Sequence, residues 1–436
     1  MTSYRIHDHR TCHIRPASRL AGILLVTTLV VIFAAGPVAA QTFTILHNFT
    51  GGADGDSPTG GLIFKGTGNL YGAAGDAAVF RFHYQGASWV LNPIFEFNGT
   101  NGAFPYGRLT VGPDGALFGV SYYGGIPECH DEAGCGLVFR LQPPQTFCAN
   151  PFCFWTETIL YQFNPLNAPR DGYGPNGGIV FDSAGNLYGT TDMGGEGDQG
   201  TVYEITRSGG GWVENSIFQF DSGPDGGIPN AGMVIDQAGN LYGTTYQGGD
   251  PTCLFGDLAC GVVFELSPTS SGWVETVLHT FQNGSDGADP LGGLIADSNG
   301  NLYGTTSIGG ANGGGTVFKL TRSGSNFTFS VLYSLTGNPR SQIGPEGLLA
   351  LDSSGNLYGI TNSEGPQSAG NLFELTPSGG IWIYTDLHDF AISPSNGAYP
   401  HDGPTLDGNG NLFGTSLEGG TGNCPYGCGV IWELTP

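Results

Sequence analysis

The chain has 436 residues, 13 Lys+Arg against 37 Asp+Glu, a formal net charge of −24, and 11% charged beside 12% aromatic residues. So acidic a surface repels phosphate backbones and anionic lipid, which excludes nucleic acid and anionic membrane as natural partners. The aromatic content and the low density of charge exclude a disordered acidic chain and leave a globular protein.

Residues 1–40 read as a cleavable secretory leader. Arg5, Arg10, Arg15 and Arg19 give a basic start, Leu20 to Ala35 is an uncharged apolar run, and Pro37-Val38-Ala39-Ala40 offers small residues before Gln41. The run is short for a membrane span and no second one follows, so a secreted or cell-envelope location with no membrane insertion is expected. Removing the leader leaves 9 Lys+Arg against 36 Asp+Glu, with Lys65 and Lys319 as the lysines. Eight cysteines then remain in local pairs, Cys129 with Cys135, Cys148 with Cys153, Cys253 with Cys260 and Cys424 with Cys428. Export and an even count point to four disulfides rather than zinc, each closing a short loop for about 2 kcal/mol.

Beyond the leader the pentad Gly-Asn-Leu-Tyr-Gly starts at Gly68, Gly185, Gly239, Gly300 and Gly355, with variants at Gly115 and Gly410. The steps between starts are 47, 70, 54, 61, 55 and 55 residues. Seven units of about 55 residues suit four short strands each, so the expected fold is all-β, a seven-bladed propeller over 41–436. The unit from Asp286 to Leu335 shows the pattern. Gly293–Asp297 reads as strand A, Asn301–Thr306 as B, Gly315–Thr321 as C and Phe327–Leu335 as D. The last unit supplies A, B and C but no D, and residues 42–49 match the D pattern. The N-terminal strand is therefore expected to complete the seventh blade, removing exposed sheet edges.

The repeat resembles the GloVer-type tandem repeat family of exported bacterial proteins. The segments that carry the likeness are Gly185–Thr191 with Gly200–Thr206 and Gly300–Thr306 with Gly315–Thr321. The resemblance implies a secreted or surface protein and brings no catalytic residues. The sorting tail frequent in such proteins is not read here, so surface attachment is left open.

Repetition separates architecture from site. His47, His279 and His388 share a strand-D position with Tyr161, Tyr333, Phe95 and Phe218, and read as packing. The tryptophans that open strand D (Trp89, Trp155, Trp212, Trp273, Trp382) read likewise, and Asp236 and Asp352 read as caps of the A–B turn. Asp54, Asp171, Asp225 and Asp286 begin Asp-Gly-x-x-Pro turns; two readings stay open, a capped turn or a weak Ca²⁺ rim. Breaks in the pattern mark the working face instead. After the turn proline stand Thr59, Tyr106, Asn176, Asn230, Leu291, Glu346 and His401, and Arg108 and Asp402 replace glycine. The B–C loops add Tyr122, Tyr123, Tyr246, Phe255 and Tyr426.

Two functions follow. The first is a non-catalytic, monomeric binding or scaffold module for glycan or an extracellular protein. The alternative is a carbohydrate-active hydrolase or lyase, with Glu346 and Asp402 as acid and base and His401 and Arg108 stabilising charge. No Gly-x-Ser-x-Gly, His-Glu-x-x-His or phosphate-loop motif occurs, and no cofactor is expected other than Ca²⁺.

Overall fold

The computed structural model describes residues 41–75, 78–129, 133–144, 155–166, 168, 170–253, 260–337, 344–363 and 365–436. Residues 1–40, the expected leader, and Phe255 lie outside the described residues. The described strands form seven four-stranded antiparallel sheets, one per repeat, with no helix among them. Six sheets take four consecutive strands, blades 1 to 6 running over 63–96, 103–162, 172–219, 234–280, 295–336 and 345–389, and blade 7 over 397–435. In the seventh, Thr42–Asn48 pairs with Val430–Thr435, so the first strand does complete the last blade.

The pentad earns its place residue by residue in blade 4. Asp236 Oδ1 accepts from the amides of Ala238 (2.8 Å) and Asn240 (3.0 Å), and Oδ2 from Asn240 Nδ2 and Tyr242 O–H (both 3.1 Å). This closes the A–B turn, as the sequence suggests, and adds a tyrosine partner. Leu241 is buried in the seam with a neighbouring blade. Gly243 has no side chain because the Phe264 ring of strand C lies over it; a Cβ there would stand 2.5 Å from that ring. The pairing repeats in every blade, with Tyr203 over Gly189 and Trp432 over Gly414 as the variants. The apolar core is accordingly divided into seven clusters, several plainly spanning two blades, such as Phe49, Phe413 and Ile431 with Leu62, Phe80 and Phe82. Each fully buried Phe or Leu there contributes roughly 1.5–3 kcal/mol.

Blades are also latched by backbone. In five blades the amide just before the turn proline donates to the carbonyl just before strand C of the preceding blade. The pairs are Ser57 to Cys428 (2.8 Å), Gly174 to Cys135 (3.1 Å), Ile228 to Gln199 (2.7 Å), Asp289 to Cys260 (3.1 Å) and Tyr399 to Ala369 (2.8 Å). Between blades 5 and 6, Gly344 donates to Ser307 instead (2.9 Å). The next residue, proline, packs on the glycine that opens strand C: Pro58 on Gly429, Pro175 on Gly136, Pro229 on Gly200, Pro290 on Gly261, Pro345 on Gly315 and Pro400 on Gly370. Donating in this direction puts Ser57, Ile228, Asp289 and Tyr399 at φ of 42° to 55°, a strain of about 1–3 kcal/mol each.

Disulfides reinforce the latch. Of the four expected, Cys129–Cys135, Cys253–Cys260 and Cys424–Cys428 are formed, and the second cysteine of each carries a latch carbonyl. They brace the acceptor where a B–C loop turns into strand C. The fourth expected bond joins Cys148 to Cys153, and both Cys148 and Cys153 lie outside the described residues. The disulfides shown are therefore three, and the Cys153 pairing stays an expectation from the sequence.

Gly200 and Gly185 separate conformational freedom from close approach. Both have positive φ (90° and 86°), but a Cβ at Gly200 would overlap Thr191 O and lie 2.7 Å from Pro229, while nothing lies within 4 Å at Gly185. Gly185→Ala is expected to cost about 1 kcal/mol, the left-handed penalty alone. Gly200→Ala is expected to cost about 3 kcal/mol or more. Urea unfolding of both variants measures the difference; equal losses would remove the latch as its cause.

Candidate functional site

Strand A is where the architecture turns into a site. In blades 2, 3, 6 and 7 it runs through the turn proline and slips register against strand B just after it, between Tyr106 and Thr110, Asn176 and Val180, Glu346 and Ala350, and His401 and Thr405. In blades 1, 4 and 5 strand A shrinks to two residues, shorter than its sequence suggests. Bulges of this kind re-aim side chains. Here all seven post-proline residues, Thr59, Tyr106, Asn176, Asn230, Leu291, Glu346 and His401, line one cavity of about 520 Å³ at the channel mouth.

Arg108 and Asp402 lie in the same cavity but are engaged with each other. Arg108 Nε donates to Asp402 Oδ2 at 3.1 Å, and Nη2 to the Gly403 carbonyl at 2.6 Å. Asp402 also accepts from the amides of Gly61 (2.9 Å) and Gly403 (2.7 Å). Burial alone would raise its pKa, but Arg108, the Gly403 amide and His401 hold it below the usual carboxylate value. The guanidinium of blade 2 thus crosses blade 1 to reach blade 7, and Gly61 leaves the room: a Cβ there would overlap Asp402. As a buried charge with its acceptor sites filled, Asp402 is an anchor of ring closure, not a free base.

Glu346 and His401 keep free valences. Glu346 Oε2 accepts from Asn362 Nδ2 at 3.2 Å, and burial raises its pKa against the opposing influence of His401. His401 Nδ1 lies 2.8 Å from the Thr59 carbonyl, so that nitrogen carries the proton and donates. Nε2 then faces the Tyr106 hydroxyl at 3.5 Å. Burial, with the negative charge of Glu346, Asp402 and Asp192, pushes Tyr106 up to about 12, so it stays a neutral hydroxyl. Tyr122 packs 6.1 Å from Tyr106 between ring centroids and donates to Asp192 Oδ2 at 2.7 Å. Tyr123 packs on Tyr122 and Phe104.

Other candidates stand apart. Tyr246 sits by Asp289 and Tyr426 is 63% exposed on the last B–C loop; neither lines the cavity. The turn acids are held locally. Asp54 and Asp286 each meet a histidine Nε2 at 3.2 Å (His47 and His279), Asp171 accepts from Tyr161 O–H at 2.9 Å, and Asp225 lies beside Asp221. The packing histidines therefore also bond to their turns; His279 stacks on Phe329 at 3.6 Å. Among the described residues no three His, Cys, Asp or Glu side chains converge as a metal-binding group.

Asn362, on the cavity wall, and Asp192, which accepts from Tyr122 beside it, are residues that the sequence reading passed over. They share one repeat position with Tyr122 and Tyr246, directly after the Thr-Thr-like pair of strand B, and variation at that position was the available signal.

A family model described as Gloeobacter/Verrucomicrobia repeat matches residues 130–253 and 252–436. No curated protein matches the sequence. Similar solved structures include a putative oxidoreductase (glucose dehydrogenase) from Thermus thermophilus, at 15% identity and TM-score 0.44, covering 91% of this chain and 100% of that one. An ulvan lyase of polysaccharide lyase family PL25 is similar at 12% identity and TM-score 0.49, covering 87% and 90%. A protein of unknown function from Dyadobacter fermentans follows at 11% and 0.41, covering 91% and 99%. None of these likenesses bears on the chemistry of the mouth.

Two outcomes test this electrostatic arrangement. Arg108→Gln leaves Asp402 charged and unpaired, and is expected to lower stability by about 3–5 kcal/mol in urea unfolding. Burial also raises Asp192, Asp289, Glu157 and Glu275 to about 7 and Glu214 to about 8. These groups bind protons more tightly folded than unfolded, so stability should rise as pH falls from about 8 towards their ordinary values of 3.8 and 4.5. Burial lowers His47, His279 and His388 below 6.5, which opposes the gain below that pH. The melting temperature is expected to be higher at pH 6.5 than at pH 8, with a smaller difference in Asp192→Asn.

Proposed function

The chain belongs to the Gloeobacter/Verrucomicrobia repeat family, and we propose that it is an exported binding module that seats a neutral, hydroxyl-rich ligand, a glycan segment, in the mouth of its channel. One observation carries this reading: the seven variable post-proline residues face a single cavity of small-molecule size. The groups offered there suit sugar hydroxyls. Asn176, Asn230 and Asn362 line it with primary amides, each with an N–H beyond those that pair Asn176 with Asn230 and Asn362 with Glu346, and Tyr106 adds a neutral hydroxyl. Arg108 and Asp402 neutralise one another, so they offer little net charge to a ligand. Export is supported by the basic-apolar leader pattern and by the disulfides.

The arrangement of His401 supports a second reading, acid–base catalysis on the bound glycan. Its Nδ1–H is fixed on Thr59, leaving Nε2 towards Tyr106, with Glu346 close by. That trio, rather than an Asp402 pair, would carry hydrolysis or elimination.

A glycan array and a polysaccharide-degradation screen of the 41–436 protein decide the matter. Saccharide binding that falls about tenfold in Tyr106→Ala and Asn176→Ala, without product release, supports the binding module. Product release lost in His401→Ala supports the enzyme. Saccharide binding unchanged in all three variants would move the ligand away from the mouth.

A further inference from the structure

At the end of the strands opposite the mouth, the interblade seams share a second motif. The pentad tyrosine of one blade meets the aromatic residue opening strand D of the next: Tyr71 and Trp155 at 5.7 Å, Tyr188 and Trp273 at 5.7 Å, Tyr242 and Phe327 at 5.6 Å between centroids. The chain repeatedly sets one of its own cations on these rings. Lys65 Nζ lies 4.6 Å from the Trp155 centroid, Arg207 4.6 Å from Trp212, Lys319 5.0 Å from Tyr303 and Arg322 5.7 Å from Phe327. Arg322 also donates from Nη1 to Asp236 Oδ2 at 3.1 Å. With Arg140, 5.9 Å from the ring of Phe118 at the pentad's aromatic position, five of the nine basic residues beyond position 40 serve this one purpose.

The seam between blades 3 and 4 has the anionic and aromatic half of the motif alone. Asp182 closes its turn as Asp236 does, with Oδ2 accepting from Asn186 Nδ2 at 2.8 Å and Tyr188 O–H at 3.3 Å. Tyr188 shares that one proton with Glu204 Oε1, the nearer acceptor at 2.8 Å. Pro268 pairs with Trp273 at the register position where Arg322 pairs with Phe327. Among the described residues neither Asp182 nor Glu204 has a Lys, Arg or His ion partner. A cleft of about 470 Å³ opens here, lined by Asp182, Tyr188, Pro268 and Trp273 among others.

We infer that this cleft is a docking site for an arginine side chain of a partner protein. Its guanidinium would lie on Trp273 and pair with Asp182, as Arg322 lies against Phe327 and Asp236 one seam further on. The occupant follows from that internal template. A planar guanidinium stacks on an aromatic ring and bonds a carboxylate at once, and the net charge of −24 draws a basic partner to the surface.

Calorimetric titration of the 41–436 protein with N-acetyl-arginine methylamide, its lysine counterpart and its neutral citrulline counterpart tests the site. The arginine probe is expected to bind about tenfold more tightly than either of the others. Pro268→Arg supplies the missing side chain from within and is expected to abolish probe binding while the protein remains folded. Trp273→Ala should weaken binding about tenfold. Equal binding of arginine and citrulline probes, or unchanged arginine binding in Pro268→Arg, would overturn the assignment; a lysine probe that binds as well would overturn its preference for guanidinium.

Discussion

An amide at the start of one blade donates to the carbonyl that ends the B–C loop of the blade before it, and the following proline ring closes over a glycine. This small contact organises the molecule because it fixes two things together. It sets the distance between neighbouring blades, and it forces the residue before the proline into a conformation that Ile228 and Tyr399 would not adopt unaided. The hydrogen bond and the proline packing offset that strain. The strained residues surround the channel mouth, so the device that spaces the blades also aims the next side chain inward.

Division of the core follows from the same contact. A single core for nearly 400 residues would outgrow what one domain sustains. Blades that touch only their neighbours avoid that limit, with an aromatic cluster in each seam and a glycine-floored ring inside each sheet. The disulfides brace latch carbonyls in blades 2, 4 and 7, and Arg108 ties blade 2 to blade 7 across blade 1. Covalent and ionic reinforcement thus falls on loops and closure, while repetition holds the rest.

Sequence made the fold legible because each pentad residue answers a local demand: Asp and Asn for the turn, Leu for the seam, Gly for the ring above it. The post-proline column was legible for the opposite reason, since its variation has no architectural cause. What sequence could not show was who meets whom across the ring. Arg108 and Asp402 are separated by 294 residues and meet only because Gly61 stands between them. As isolated letters they suggested charge stabilisation and catalysis; in space they neutralise each other. Asp192 and Asn362 escaped because an acid and an amide in a polar loop look ordinary until Asn362 is found on the cavity wall and Asp192 against Tyr122. The cations of the outer seams were invisible as a set, since Lys65 comes from an A–B turn and Arg322 from a strand end.

Closure of the last blade by Thr42–Asn48 makes the ring a loop without a loose thread. A linear stack of repeats can fray from either end, one unit at a time. Here the outermost strand of blade 7 is the first stretch of the ring, held between Val430–Thr435 and the neighbouring aromatics His388 and Phe390. Peeling it exposes one edge, yet the first and last blades stay joined by the Ser57–Cys428 latch and by the Gly61 and Arg108 bonds to Asp402, so opening the circle takes more than the loss of one strand. Resistance to digestion then rests on a closure made twice over, once by a borrowed strand at the rim and once by the latch and ion pair nearer the channel.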